Sequence, residues 1–251
     1  MNYQKLRTNP RLAAALWAPL LWLLTAGLPA SAEDNWSFDV TPYLWVASVD
    51  AETSVPQAPS SASSEFDTSI SAGLMLAAQA HYRSFGVFAD FAWLRLDTDA
   101  VSPGPAFSSG NLESDFIHST VALSYRLPLE GKFHVELLAG ARIWNVSEEL
   151  SYQSGTLTGF NVSGDKTWVN PAVGADLRYD LGKRWSLIAK GFVGGTGSDL
   201  GWEVMGAVAY RFTDWCSAAA GYRFLREDYS NDGFNFNTDV KGFILGVGFH
   251  F

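Results

Sequence analysis

The chain closes on Phe243-Ile244-Leu245-Gly246-Val247-Gly248-Phe249-His250-Phe251, and the period of that stretch decides the fold. Successive side chains of a strand point to opposite faces. Phe243, Leu245, Val247, Phe249 and Phe251 therefore share one face, with Ile244, Gly246, Gly248 and His250 on the other. One face is apolar or aromatic throughout, and the other is mostly small. Such a strand suits a wall between lipid and a crowded interior.

The same alternation runs back through the chain. On the first segment Trp36, Phe38, Val40, Pro42, Leu44 and Val46 oppose Ser37, Asp39, Thr41, Tyr43 and Trp45. On another, Phe133, Val135, Leu137, Ala139, Ala141 and Ile143 oppose His134, Glu136, Leu138, Gly140, Arg142 and Trp144. The pattern predicts ten strands: 36–48, 71–83, 86–98, 114–127, 133–147, 167–180, 185–194, 201–212, 216–228 and 236–251. An eight-stranded reading would leave two good hairpins unused. Short turns (84–85, 128–132, 181–184, 213–215) alternate with long polar loops (49–70, 99–113, 148–166, 195–200, 229–235). Pro171 falls within a strand and predicts a bulge. Arg95 lands on the apolar face, which places it at the outer rim or at a bulge that re-aims it.

Residues 1–32 read as a cleavable signal peptide. Lys5, Arg7 and Arg11 precede a largely apolar run from Leu12 to Leu28, and Ala30-Ser31-Ala32 is a small-residue cleavage site. Residues 33–251 then form one domain. Without the three basic residues of the leader, 14 Lys+Arg stand against 26 Asp+Glu, a net charge of −12, which argues against nucleic acid as partner. Cys216, the single cysteine, cannot form an intrachain disulfide or a cysteine metal cluster. After Ala32 nothing is apolar enough for a spanning helix. A membrane chain of that kind must close its strands into a barrel, because hydrocarbon cannot satisfy an open sheet edge.

Which face points inward is a matter of volume. The apolar faces carry too many Trp, Tyr and Phe rings to share one lumen, whereas the other faces mix Gly, Ala and Ser with charges. The rings therefore face lipid. Tyr82, Tyr125, Phe133, Tyr179, Trp185, Tyr210, Phe212 and Phe249 beside the short turns, with Trp93 and Trp202 toward the other end, form two aromatic girdles.

The end of the chain resembles the C-terminal signal of bacterial outer-membrane β-barrel proteins, polar-x-Gly-x-x-apolar-x-aromatic. Gly246, Phe249 and Phe251 match it, and Ile244 departs from the polar position. Residues 33–251 as a whole resemble small outer-membrane proteins of the OmpA-barrel, OmpW or opacity-porin type. The resemblance implies an up-and-down antiparallel transmembrane β-barrel in the outer membrane of a Gram-negative bacterium. It also implies handling by the outer-membrane assembly machinery, with Gly246, Phe249 and Phe251 as insertion signal.

Alternation turns a polar network toward the lumen: Asp39, Asp90, Arg126, Glu136, Arg142, Asp176, Arg178, Lys190, Glu203, Arg211 and Arg223, with His81, Arg83, His118, His134 and Glu227 beside them. Both signs lie on adjacent strands, which predicts a lumen largely filled by paired side chains and a structural or surface-interaction role. A narrow porin-like channel for small solutes is the alternative, since a ten-stranded barrel is too tight for a wide one. Acids including Asp97, Asp99, Glu113 and Asp115 gather by the long loops, facing each other across a hairpin. Oxygen clusters of this kind suit divalent cations that bridge to lipopolysaccharide phosphates. Phe116-Ile117-His118-Ser119-Thr120 weakly resembles the His-x-Ser pairing of lipid A deacylases, but the serine is displaced toward lipid. Lipid hydrolysis is therefore a remote third reading. No cofactor, no metal ligand set and no catalytic residue is assigned.

Overall fold

A computed structural model describes residues 35–54, 64–69, 72–100, 107–155, 158–196, 200–231 and 234–251. The expected signal peptide lies outside the described residues. The strands are β1 (Trp36–Ser54), β2 (Ser64–Ser69), β3 (Ala72–Tyr82), β4 (Phe85–Ala100), β5 (Phe107–Arg126) and β6 (Phe133–Ser154). They continue as β7 (Phe160–Asp180), β8 (Trp185–Gly194), β9 (Leu200–Arg211), β10 (Cys216–Asn231) and β11 (Phe234–His250). Each pairs antiparallel with its neighbour in sequence from β3 to β11, and β11 pairs with β1. Ten strands thus close the barrel, while short β2 rides on the outer extension of β1. Closure leaves no edge within the bilayer.

The two faces separate as the alternation requires. Leu44, Val46, Leu123, Phe243 and Leu245 are exposed, each more than half, while Trp45, Ala122, Leu138, Trp144 and Ile244 on the alternate positions are buried. Exposed apolar side chains circle the whole barrel, far more than a water-soluble surface carries. Rings mark the short-turn end: Tyr82, Phe133, Tyr179, Trp185 and Phe212 are exposed, Phe85 packs on Tyr125 at 5.1 Å, and Trp215 stacks on Phe249.

Several expectations change. The long loops are mostly strand: β5, β6 and β7 run 20, 22 and 21 residues, about twice what a tilted strand needs to span a bilayer. Their outer ends form hairpins standing clear of the membrane. Pro171 makes no bulge, for register runs unbroken through Ala141↔Pro171. Pairing between β7 and β8 ends at Ala172↔Gly194, and the Pro171 carbonyl accepts only one last bond from Gly195 N–H at 3.2 Å. The missing N–H falls where β8 is leaving, so little is lost.

Arg83 is not a lumen residue. It occupies the β3–β4 turn with φ 57°, its guanidinium 5.4 Å from the Tyr82 ring. The β5–β6 turn carries Gly131 at φ 101°, a conformation that favours glycine. Arg95 stays on the outward face, where Asp115 holds it through two hydrogen bonds of 2.9 Å and Glu113 approaches at 3.5 Å. Register puts Asp97 opposite Glu113, but Asp115 opposite Arg95, so a cation interrupts the expected cluster of four acids.

Candidate functional site

The lumen has three levels. At the short-turn end, strand register brings charged groups of neighbouring strands together. Lys190 Nζ lies 2.9 Å from Asp176, and Arg178 Nε and His134 Nε2 lie 3.0 Å and 3.1 Å from Asp180. Glu136 reaches three strands across to His81 Nε2 at 2.6 Å, with Arg126 at 4.0 Å. These groups surround a cavity of about 520 Å³ that runs inward from the short turns. Asp39, Asp90, Arg126, Glu136, Asp176, Arg178, Lys190, Glu203, Arg211 and Arg223 all line it.

Above the cavity a brace crosses the barrel. Arg142 on β6 pairs with Glu203 on β9. Glu203 Oε1 also stands 2.9 Å from Arg223 Nε on β10, an ion pair outside hydrogen-bond alignment. Arg223 donates to Asp90 on β4 at 3.0 Å and to the Tyr43 hydroxyl on β1 at 2.5 Å, and that hydroxyl lies 2.9 Å from the other Asp90 oxygen. Five strands on opposite sides of the ring are thus linked through two cations and two anions, all buried. Arginine suits this place, because its planar fork serves two carboxylates at once and stays charged when buried. The guanidinium of Arg223 also lies over Trp45, 4.7 Å from the ring centroid.

The outer level is mainly aromatic and aliphatic. Trp45, Leu94, Phe116, Trp144, Val146, Trp168, Leu225, Tyr229 and Val240 pack together inside the strands. Trp168 stacks on Tyr229 at 4.3 Å and on Trp144 at 5.8 Å, and His118 packs against Trp144 at 4.6 Å. Glu227 sits fully buried beneath this stack and accepts from Trp168 Nε1 at 3.0 Å and Asn170 Nδ2 at 2.6 Å. Glu227 is therefore a lumen group, as alternation places it. His118 and Thr120 are buried inside while Ser119 looks outward, so His118 and Ser119 cannot act as a pair.

The filled part of the lumen thus combines the buried polar brace with an aromatic cluster, and the cavity lies on the short-turn side of both. Trp45 and Trp144 fall on the inward face by alternation alone, a signal that the volume argument, which sent rings to lipid, overrode. Gly246 lines the cavity, and Phe249 and Phe251 are on the outward side.

No protein-family model and no curated protein matches the sequence. Solved structures do match the fold. The barrel is similar to the outer membrane protease OmpT from Escherichia coli, at 10% identity over 88% of this chain and 99% of that chain, with a TM-score of 0.57. It is similar to the translocator domain of the autotransporter NalP from Neisseria meningitidis, at 12% identity over 96% and 97%, with a TM-score of 0.50. Ail of Yersinia pestis matches at 14% identity over 87% and 100%, with a TM-score of 0.41. At such identities the likeness is one of fold: the chain is a closed ten-stranded antiparallel β-barrel with the fold of outer-membrane barrels, and its belt of exposed apolar side chains suits a lipid bilayer.

Proposed function

We propose that this protein is a non-conducting outer-membrane barrel that acts through its projecting outer hairpins as a structural or surface-interaction element. The observation that carries the reading is the brace from Arg142 through Glu203 and Arg223 to Asp90, which crosses the lumen directly below a packed aromatic layer. An ion would have to part buried ion pairs and then enter a dry core, and both steps are costly.

Outward acids at the rim support a contact with lipopolysaccharide through divalent cations. Asp228 and Asp239 share Arg226, as Glu113 and Asp115 share Arg95, so acids outnumber the bases they meet on both patches. Gly246, Phe249 and Phe251 serve as the segment the assembly machinery reads. Single-channel recording of the refolded protein in planar bilayers tests the closed lumen, and silent membranes are expected. The cavity favours one competing reading, a narrow channel for small solutes. Ion-selective openings altered by Arg142→Ala or Lys190→Ala would establish that channel and overturn the closed barrel.

A further inference from the structure

Where the last strand closes on the first, three neighbouring strands each contribute one side chain to a continuous hydrogen-bonded chain. Ser217 Oγ on β10 lies 2.8 Å from His250 Nε2 on β11, and His250 Nδ1 lies 2.5 Å from Asp39 Oδ1 on β1. An ionised Asp39 can only accept, so Nδ1 carries the ring proton and Nε2 presents its lone pair to the Ser217 hydroxyl. We propose that Ser217, His250 and Asp39 form a nucleophile, a general base and an orienting carboxylate that hydrolyse small acyl esters entering the barrel from its periplasmic mouth. This goes beyond the closed-barrel reading and needs no through-pore.

Four features of the site fit that use. All three side chains line the cavity of about 520 Å³, and His250 and Asp39 stay partly exposed, so a solute can reach them. The cavity is of the size that takes a small organic molecule. Gly248, facing Ser217 across the strands, keeps the approach clear: a Cβ there would stand 2.7 Å from Ser217 Oγ and 3.4 Å from the His250 ring. Arg211 is the register partner of Ser217 on β9 and lines the same cavity, so a cation stands on the neighbouring strand to meet a developing oxyanion.

Deeper in, Ala219, Ala209, Ala207, Met205, Gly246 and Ile244 make a small apolar surface suited to an acyl chain. The backbone beneath is fixed, with Phe38 and Phe251 exchanging bonds of 3.0 Å and 2.8 Å and His250 N–H donating to Trp215 O at 2.9 Å. Side chains held on paired strands keep their geometry better than those on loops.

The reaction balances with water as its only co-reactant. Ser217 Oγ bonds to the ester carbonyl carbon as its proton passes to His250 Nε2, and the carbonyl electron pair moves onto oxygen beside Arg211. Collapse breaks the bond to the alcohol oxygen, which takes the proton from His250 and leaves as the alcohol, with the acyl group on Ser217. Water then adds with its proton going to His250, and the acid departs as Ser217 recovers its hydrogen. Asp39 touches no substrate atom and is a positioning residue.

The test uses the full chain refolded in detergent micelles, with a fluorophosphonate serine probe and p-nitrophenyl esters of two to eight acyl carbons (about the length the cavity holds). Labelling mapped by peptide analysis to Ser217 is expected, with ester turnover that falls at least ~100-fold in Ser217→Ala and His250→Gln. Asp39→Asn should lower kcat with little change in KM. Each variant is first shown to be folded by its heat-dependent gel mobility, and mapping on the unaltered protein stands even where a variant does not refold. Folded wild-type protein that neither labels nor turns over would mean that the three residues only fasten the barrel seam, and the proposal falls. Turnover that survives Ser217→Ala, or a label on another serine, overturns it equally.

Discussion

Arg223→Met is the perturbation that most directly interrogates the brace. Arg223 is 3% exposed and meets Asp90 at 3.0 Å, Glu203 at 2.9 Å and the Tyr43 hydroxyl at 2.5 Å. Methionine keeps much of the packing against Trp45 but removes the charge. Glu203 would still hold Arg142, whereas Asp90 would keep only the Tyr43 hydroxyl as donor. A buried carboxylate stripped of its cation typically destabilises by about 3–5 kcal/mol, mostly through the uncompensated charge left behind. The measurement is equilibrium unfolding in detergent or lipid vesicles, followed by tryptophan fluorescence. Adding Asp90→Asn removes the stranded charge, so the double variant should recover part of the loss and the two effects should fall short of their sum. A loss below about 1 kcal/mol for Arg223→Met, or strict additivity with Asp90→Asn, would show that these groups are solvated and not coupled.

Other sites give independent expectations. Val247 faces outward, 43% exposed and two residues from the girdle ring of Phe249, so Val247→Lys should cost about 1–2 kcal/mol in unfolding titrations, between the interfacial and midplane values. Gly242→Ala would drive a Cβ into the β1 backbone at Val46 and Ala47, and a loss of about 1–3 kcal/mol is expected from the same titrations. Trp168→Ala empties the centre of the aromatic layer and removes a donor from Glu227, which should lower stability by about 3–5 kcal/mol. Arg95→Ala, at the wet outer rim, breaks an ion pair whose partners are 41% and 28% exposed; a change above ~1 kcal/mol would mean that the rim is drier than its geometry implies.

The barrel wall was legible because its signal is local. A period of two survives wherever one face meets lipid, so strand number, face and turn positions follow from neighbours a few residues apart. The outer hairpins were not legible for the same reason. Glu148–Ser154 and Phe160–Lys166 stand in water, where nothing forces alternation, and they read as loop. The brace was half legible. Alternation turns Arg142, Glu203, Arg223 and Asp90 inward, but their pairing joins residues 61 and 133 positions apart through shear and tilt that one strand cannot report. Ser217 and His250 were missed differently. His250 was visible as an inward residue in a strand of small ones, yet its worth depends on the register that sets Asp39 opposite it. Pro171 misled because the rule against a mid-strand proline assumes a partner on both sides, and at that height β8 has ended.

The order of the three lumen levels has its own logic. Charges at the short-turn end line the cavity, where Lys190 meets Asp176 at 2.9 Å and Arg178 meets Asp180 at 3.0 Å. At the brace the ions are buried, and each is tolerated because an opposite one from a distant strand meets it. Beyond the brace even paired ions give way to stacked rings, with Glu227 held by two donors at the boundary. Buried ion pairs thus give way to stacked rings from the short-turn mouth outward, and the brace lines the inner end of the cavity. On the closed-lumen proposal, a solute that enters through the mouth leaves the same way, past Ser217 and His250 in both directions. A chamber closed in that way would serve transport poorly, because nothing would be delivered to the far side. It serves a retained encounter well, since a molecule that dwells in a dead-end chamber meets the wall residues repeatedly before it escapes.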